Sequence, residues 1–362
     1  MEEARHPALT DTLWTIAPGH PLRDGLDRVL QANKGALVVV GDGPEVLAIC
    51  SGGFLLDSEF SPQRFSELAK MDGAIILAAD ASRIARANVH LVPSPAVPTD
   101  ETGTRHRTAE RVARSIDVPV IAVSETMGVI TVYRGDQKHV ASPIARLLAR
   151  ANQALQTLER YRDRLASVTS SLSALEVEDL VTVRDVVTVL QRAEMVRRIA
   201  DEVKGYIVEL GSDGRLVQLQ LDELMAGVED DRRLVVQDYL CPPAGRGPCS
   251  DEQVEGAMAY LRHMSTDALL DVKAVATGLN LSEDGDPDAG VSPAGYRMLA
   301  KVPRLPQATI DKLVTRYGNL QDLLTATVAD LDSVEGVSRG AARSVKDGLS
   351  RLAESTILDR YS

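Results

Sequence analysis

Up to about residue 140, apolar residues come in short runs bounded by glycine, proline and acidic turns, and these runs alternate with stretches of helical period. Residues 12–14 and a Pro18-Gly19 turn precede a helix predicted over residues 22–31. Residues 36–40, Ala-Leu-Val-Val-Val, form an unbroken apolar run, the pattern of a strand covered on both faces. Gly41-Asp42-Gly43 closes it, and a further strand is predicted over residues 46–49. Ser61-Pro62 supplies an N-cap and a first helical residue for a helix carrying Phe65, Leu68 and Ala69. Strands follow over residues 74–78 and 89–92, and a pair over 118–123 and 128–133 spans Ser124-Glu125-Thr126-Met127. Between them Ala109, Val112, Ala113 and Ile116 mark a helix over residues 105–116 with Thr104 as its N-cap. Interleaved strands and helices, some strands hairpin-linked, give a mixed sheet flanked by helices.

The period then changes. From Ile144 the apolar positions Leu148, Ala151, Leu155, Leu158, Tyr161, Leu165, Val168, Leu172 and Leu175 step by three or four, one helical seam of roughly four heptads. More helices are predicted over 184–210, 250–264 and 266–277, with Ser250 and Ser265 as caps and Gly278 as a stop. Arg197-Arg198 and Asp230-Asp231-Arg232-Arg233 are expected on solvated faces. Residues 282–290 form an acidic linker rich in breakers. Beyond it, one helix carries Ile310, Leu313 and Val314 and ends at Gly318, and a turn through Gly336 leads into another over residues 341–352. An apolar-Gly-apolar turn between helices can present backbone N–H groups to a nucleic-acid phosphate; a plain helical interaction domain fits the same pattern. The fold class is therefore α+β multidomain: a mixed-sheet domain over 1–140, an all-α spacer over 141–288 and a helical end over 289–362.

Charge narrows the function. The 362 residues carry a formal charge of −12, against a surface wrapped in nucleic acid, but from Arg297 onward ten Lys and Arg face eight Asp and Glu. Aromatic content of 3% argues against base-stacking platforms. Cys50, Cys241 and Cys249 lack metal-type spacing and are expected as reduced thiols. With an acidic start at Met1-Glu2-Glu3 and no 18-residue apolar run, the expectation is a cytoplasmic protein without membrane segments.

Candidate chemistry sits beside the strand ends, where open α/β sheets build sites. Asp72-Gly73-Ala74 offers a carboxylate for a divalent cation or a sugar hydroxyl, next to a glycine that permits close approach. Gly103-Thr104-Arg105-His106-Arg107-Thr108 gathers cations on a first helical turn, against the macrodipole, which a bound polyphosphate would justify. Ser124-Glu125 adds a second carboxylate, suited to a metal or a proton relay. Acid and basic cluster together describe a site for a nucleoside triphosphate with Mg²⁺, although neither the P-loop nor the Gly-x-Gly-x-x-Gly fingerprint occurs.

Asp72-Gly73-Ala74, the run from Asp100 to Glu110 and Val123-Ser124-Glu125 resemble the diadenylate cyclase family, and the three-part order is similar to its DNA-integrity-scanning members. That resemblance implies condensation of two ATP into cyclic di-AMP and two pyrophosphates with Mg²⁺ or Mn²⁺. It implies that Asp72 engages the ribose 3′-hydroxyl and the metal, that Arg105, His106 and Arg107 hold phosphates, and that Glu125 assists the metal or the hydroxyl. Gly73, Leu91, Thr104 and Ser124 would line the nucleotide pocket, with Ala74, Gly103 and Thr108 completing it. It also implies a homo-octamer with cyclase domains face to face, and branched DNA bound by a terminal helix-hairpin-helix domain. The turn departs from the usual hairpin at Ser338, where glycine recurs, at the adjacent Glu335, and at Leu305-Pro306-Gln307 in the earlier half. Rival readings are a nucleotide-binding scaffold without chemistry and a nucleotidyltransferase acting on two different substrates.

Overall fold

A computed structural model describes residues 7–240, 250–282 and 284–361. Residues 1–3, Cys241, Cys249 and Glu283 of the acidic linker lie outside the described residues, and Cys50 is a free thiol. The chain forms two compact units: Met1–Ala154 with Glu202–Gln220, and Leu155–Asp201 with Leu221–Ser362.

The first unit holds an eight-stranded mixed sheet of order β2-β5-β4-β1-β6-β7-β8, with β3 paired to β5. The helices that precede β1 (Ala36–Val40) are α1 (Pro7–Thr15) and α2 (Pro21–Gln31); α3 (Pro44–Ala48), β2 (Cys50–Ser51), β3 (Phe54–Glu59), α4 (Pro62–Leu68), β4 (Ala74–Leu77) and β5 (Arg83–Leu91) follow. Next come α5 (Thr104–Ile116), β6 (Val120–Ser124), β7 (Val129–Arg134) and β8 (Gln137–Val140). β1 runs parallel to β4, and the remaining pairings are antiparallel. β1 and β4 are buried along their whole length because helices cover both sides. Val38, Val40, Ile75 and Leu77 meet Leu13, Leu26 and Phe65 of α1, α2 and α4. The alternate residues Leu37, Val39, Ala74 and Ile76 meet Ala109, Val112 and Ala113 of α5. This alternation is the period-two pleat expressed in two cores.

Several local expectations change. Residues 46–49 form no strand: Pro44 at the first helical position behind Gly43, with Glu45 in the first turn, starts α3 instead. β3 escapes the sequence pattern because its apolar residues face outward; Phe54 is 56% and Leu55 75% exposed. Its register against β5 shifts between Leu55 and Ser58, where Asp57 takes φ of 48°. Thr104 is the first residue of α5 rather than its cap, which is Gly103 without a side-chain bond.

The helical remainder starts with α6 (Ile144–Glu178) and α7 (Val183–Leu210), then α8 (Arg215–Met225) and α9 (Val228–Leu240). The predicted seam of α6 is largely buried, including Ala151, Leu155, Leu158, Leu165 and Leu172. α10 (Asp251–His263) starts with a Ser250 capping box, and α11 (Thr266–Leu270) with a Ser265 cap. The helix predicted over 266–277 breaks, because Asp271 accepts from Lys273 and Ala274 N–H groups and so caps a new helix, α12 (Val272–Gly278). The linker is tied down: Val183 and Arg184 N–H groups bond to the Ala289 and Pro287 carbonyls, and Thr182 bridges Gly290.

In the second unit, α13 (Tyr296–Ala300), α14 (Gln307–Tyr317), α15 (Leu320–Thr325), α16 (Val328–Asp332) and α17 (Arg339–Tyr361) share one core around Leu299, Leu313, Leu331 and Val345. Arg304 (φ 61°) turns α13 into α14, and Gly336 (φ 80°) turns α16 into α17. The expected solvated charges are partly inside. Arg232 is fully enclosed against Glu194 at 2.8 Å, and Arg197 and Arg198 converge on the same buried carboxylate. A helical period cannot distinguish a charged residue facing solvent from one meeting its countercharge on a neighbouring helix. Residues from both sides of the linker also share a buried network: Arg297 on α13 pairs with Glu176 on α6, while Asp238 on α9 accepts the Gly295, Tyr296 and Arg297 N–H groups. Buried contacts join the spacer and the helical end there, and the second compact unit holds residues of both.

Candidate active site

One face of the sheet opens a cleft of about 720 Å³ between the head of β4, the end of β5, the first turn of α5 and the end of β6. Its volume suits a nucleotide-sized ligand. Asp72, Gly73, Ala74, Leu91, Gly103, Thr104, Arg105, His106, Thr108, Ser124 and Glu125 line it. Of the residues singled out from the sequence, Arg107 alone stands outside that lining, exposed on the same helical turn.

The entrance to β4 and the end of β6 carry the acidic side. Asp72 stands two residues before Ala74, the first of β4, and its Oδ1 accepts the Gly73 N–H at 3.0 Å. Gly73 adopts φ of 102°, and a Cβ there would stand 2.8 Å from the Asn88 carbonyl carbon. Only glycine fits between the strand entrance and β5. Glu125 follows β6 and lies 3.9 Å from Lys34, both half-exposed, a loose pair free to turn to a ligand.

α5 carries the cationic side. Its first intrahelical bond runs from the Arg107 N–H to the Gly103 carbonyl, leaving the earlier N–H groups of the turn without an intrahelical acceptor. The Arg105 guanidinium lies across Gly35, where an added Cβ would come within 2.3 Å of it. His106 Nε2 is buried and has no hydrogen-bond partner among the described residues. Burial, then the charges of Lys138 and Arg105, hold the His106 imidazole below its usual pKa against the opposing pull of Glu101, so the ring is neutral at pH 7. A neutral imidazole with a free nitrogen can still exchange a hydrogen bond with a phosphate or hydroxyl.

Asn88 and His90 also line the cleft, which motif reading missed. A signal existed: Ala87-Asn88-Val89-His90-Leu91 alternates buried and exposed, placing both polar residues on one face of β5. Asn88 sits at φ of 54°, an uncommon conformation that asparagine tolerates better than most residues.

The oxygen donors fit a hard divalent cation. Among the described residues no group of three or more His, Cys, Asp or Glu could hold a metal alone. Mg²⁺ and its analogues are commonly bound by one or two carboxylates together with substrate phosphates, which Asp72 and the opposite α5 turn would accommodate.

An acidic strand entrance facing a cationic helix start, without a P-loop, suits a nucleotide-binding domain. The model of the DisA bacterial checkpoint controller nucleotide-binding region matches residues 23–138, and that of the DisA linker region matches 142–286. The chain belongs to the DisA family. It is 57% identical over 351 residues to a DNA integrity scanning protein DisA of Frankia alni, covering 97% of this chain and 96% of that one. The DisA of Streptomyces coelicolor is 54% identical over 353 residues, covering 97% and 93%. A solved structure of DacA from Staphylococcus aureus aligns with 37% of this chain and 88% of its own at 22% identity, with a TM-score of 0.28. No described helix is long and apolar enough to cross a membrane.

Proposed function

We propose that this chain is a diadenylate cyclase that condenses two ATP molecules into cyclic di-AMP and two pyrophosphates, coupled to sensing of branched DNA. The observation that carries the reading is the single cleft in which Asp72 and Glu125 face the Thr104–Thr108 turn. Each 3′-oxygen attacks the α-phosphorus of the other ATP, a new P–O bond forms, pyrophosphate leaves, and the hydroxyl proton passes to a nearby acceptor. Two clefts facing across a two-fold axis align both attacks at once, so catalysis consists of positioning and charge neutralisation. Asp72 holds the 3′-hydroxyl, Arg105 and His106 hold phosphates, and Gly73, Ala74, Leu91, Gly103, Thr104, Thr108 and Ser124 cradle the nucleotide. Arg107, exposed beside the cleft but outside its lining, suits contact with the nucleotide of the facing copy. Asp72, with assistance from Glu125, would hold Mg²⁺ or Mn²⁺, which supplies neutralisation of the polyphosphate charge.

Face-to-face half-sites require association, and a homo-octamer is the proposed assembly. The α16–Gly336–α17 turn supports a helix-hairpin-helix that engages DNA, with Lys312 reaching over Gly336 beside Arg339 at the start of α17. The proposed compartment is the cytoplasm.

Purified full-length protein incubated with ATP and Mg²⁺ or Mn²⁺ should yield cyclic di-AMP by mass spectrometry, with turnover per protomer falling on dilution. Asp72→Asn retaining full turnover would overturn the site assignment. For DNA, Lys312→Glu with Arg339→Glu should weaken four-way-junction binding and flatten its salt dependence by about one unit per lost phosphate contact. Unchanged binding would refute the role of the hairpin.

A further inference from the structure

Glu101 lies two residues before the N-cap of α5, where an acid would ordinarily repel the phosphates proposed for that turn. Its carboxylate is engaged elsewhere. Tyr133 Oη on β7 donates to Glu101 Oε1 at 2.8 Å, and Lys138 on β8 forms an ion pair with the same oxygen. The Glu101 side chain is 15% exposed and Tyr133 is 1% exposed, so their hydrogen bond is largely shielded from water, while Lys138 is half-exposed. The Tyr133 ring forms a wall for His106, with centroids 6.3 Å apart and planes crossing at 85°. Lys138, Glu101 and Tyr133 thus tie the loop that feeds α5 to the β7–β8 hairpin and hold the ring against which His106 rests.

Neighbouring contacts fix the same loop to α5. Arg111 and Arg114 donate to the Val97 and Pro98 carbonyls, and Thr99 bonds to the buried Glu110. These bonds hold the loop's middle; the Glu101 contacts hold its last turn, next to Gly103.

We propose that Glu101, through Tyr133 and Lys138, is a positioning residue of the nucleotide site that sets the placement of Arg105 and His106 for phosphate binding. The inference rests on the cyclase reading, and it assigns Glu101 no contact with substrate. Burial works to raise the Glu101 pKa, but hydrogen bonds from Lys138 and Tyr133 outweigh it and keep the carboxylate charged. Burial, followed by the Glu101 bond, drives the Tyr133 phenol well above its usual range, so it remains a donor at every working pH. The groups facing His106 are Glu101 from the loop, Tyr133 from β7, Lys138 from β8 and Arg105 from α5.

The test uses full-length Glu101→Ala and Tyr133→Phe, the latter removing one hydroxyl while keeping the ring. Three quantities are read: ATP affinity at equilibrium, kcat and KM for cyclic dinucleotide formation, and the His106 titration by ¹H–¹⁵N NMR. Glu101→Ala should weaken ATP binding about tenfold, because the loop that feeds α5 and the ring behind His106 lose their common anchor. It should also move the His106 midpoint down, since an attracting negative charge is gone. Tyr133→Phe should change affinity in the same direction by less. Both variants retaining wild-type ATP affinity and KM would overturn the proposal even if the His106 midpoint moves, and Tyr133→Phe alone decides it should Glu101→Ala fail to fold. Wild-type protein that makes no cyclic dinucleotide would sink the cyclase reading, while ATP affinity and the imidazole titration would still decide the role of Glu101.

Discussion

Gly73 leaves the space beside it to Asn88: a Cβ on residue 73 would stand 3.0 Å from Asn88 Oδ1 and 2.8 Å from its carbonyl carbon. This close approach brings the residue after Asp72 against β5 at the floor of the cleft. Gly73→Ala would add both this clash and a strained φ of 102°. The expected outcome is a stability loss on the order of 1–3 kcal/mol and a turnover loss larger than stability explains, checked by urea unfolding beside cyclic dinucleotide assays. Activity equal to wild type would show that Asp72 does not depend on this floor.

Arg105 and Arg107 should separate binding from turnover. Arg105 lines the cleft and Arg107 does not. Arg105→Ala is expected to weaken ATP binding by about 10- to 100-fold, from loss of a charge-assisted bond of about 1.5–3 kcal/mol. Arg107→Ala should leave ATP affinity near wild type and lower kcat. Equilibrium binding alongside steady-state kinetics measures both. Equal affinity losses would place both guanidiniums on the same nucleotide.

His106 gives a pH signature with a definite sign. Its folded pKa lies below the usual imidazole value, chiefly through burial, so between the two values the unfolded chain binds a proton that the folded one does not. The stability linked to His106 is full above about 6.5 and is lost as pH falls through the folded pKa. His106→Gln should remove that part of the acid dependence, as seen in urea midpoints across pH 5 to 7. An NMR midpoint at or above 6.5 in the free protein would contradict the burial argument.

Arg297 holds the helical end together. Its guanidinium is 4% exposed and meets Glu176, which also accepts from Tyr239 at 2.7 Å. Arg297→Met would leave the Glu176 carboxylate buried without its countercharge, an expected loss of about 3–5 kcal/mol in chemical denaturation. A double variant, Arg297→Met with Glu176→Leu, should recover much of the loss, because neither charge is then stranded. No recovery would mean that packing around Arg297, not charge, sets the stability.

The sequence alone made several things legible. The apolar run over residues 36–40 had to be a covered strand, and Ser61-Pro62 and Ala109-Val112-Ala113 had to begin or face helices. Local period and capping depend on neighbours within one turn or two, and the chain states these directly. It also displayed the chemistry of the cleft, since Asp72, the Thr104–Thr108 turn and Glu125 are contiguous motifs. Tertiary structure decided the rest. Tyr133 reaches Glu101 across 32 positions, Arg297 reaches Glu176 across 121, and Arg232 finds Glu194 inside a helical layer that its period did not reveal. Asn88 enters the cleft only because β5 pairs antiparallel with β4 in a shifted register. Burial and electrostatic pairing at such separations follow from which surfaces meet, and that is fixed by the fold as a whole rather than by any window of the chain.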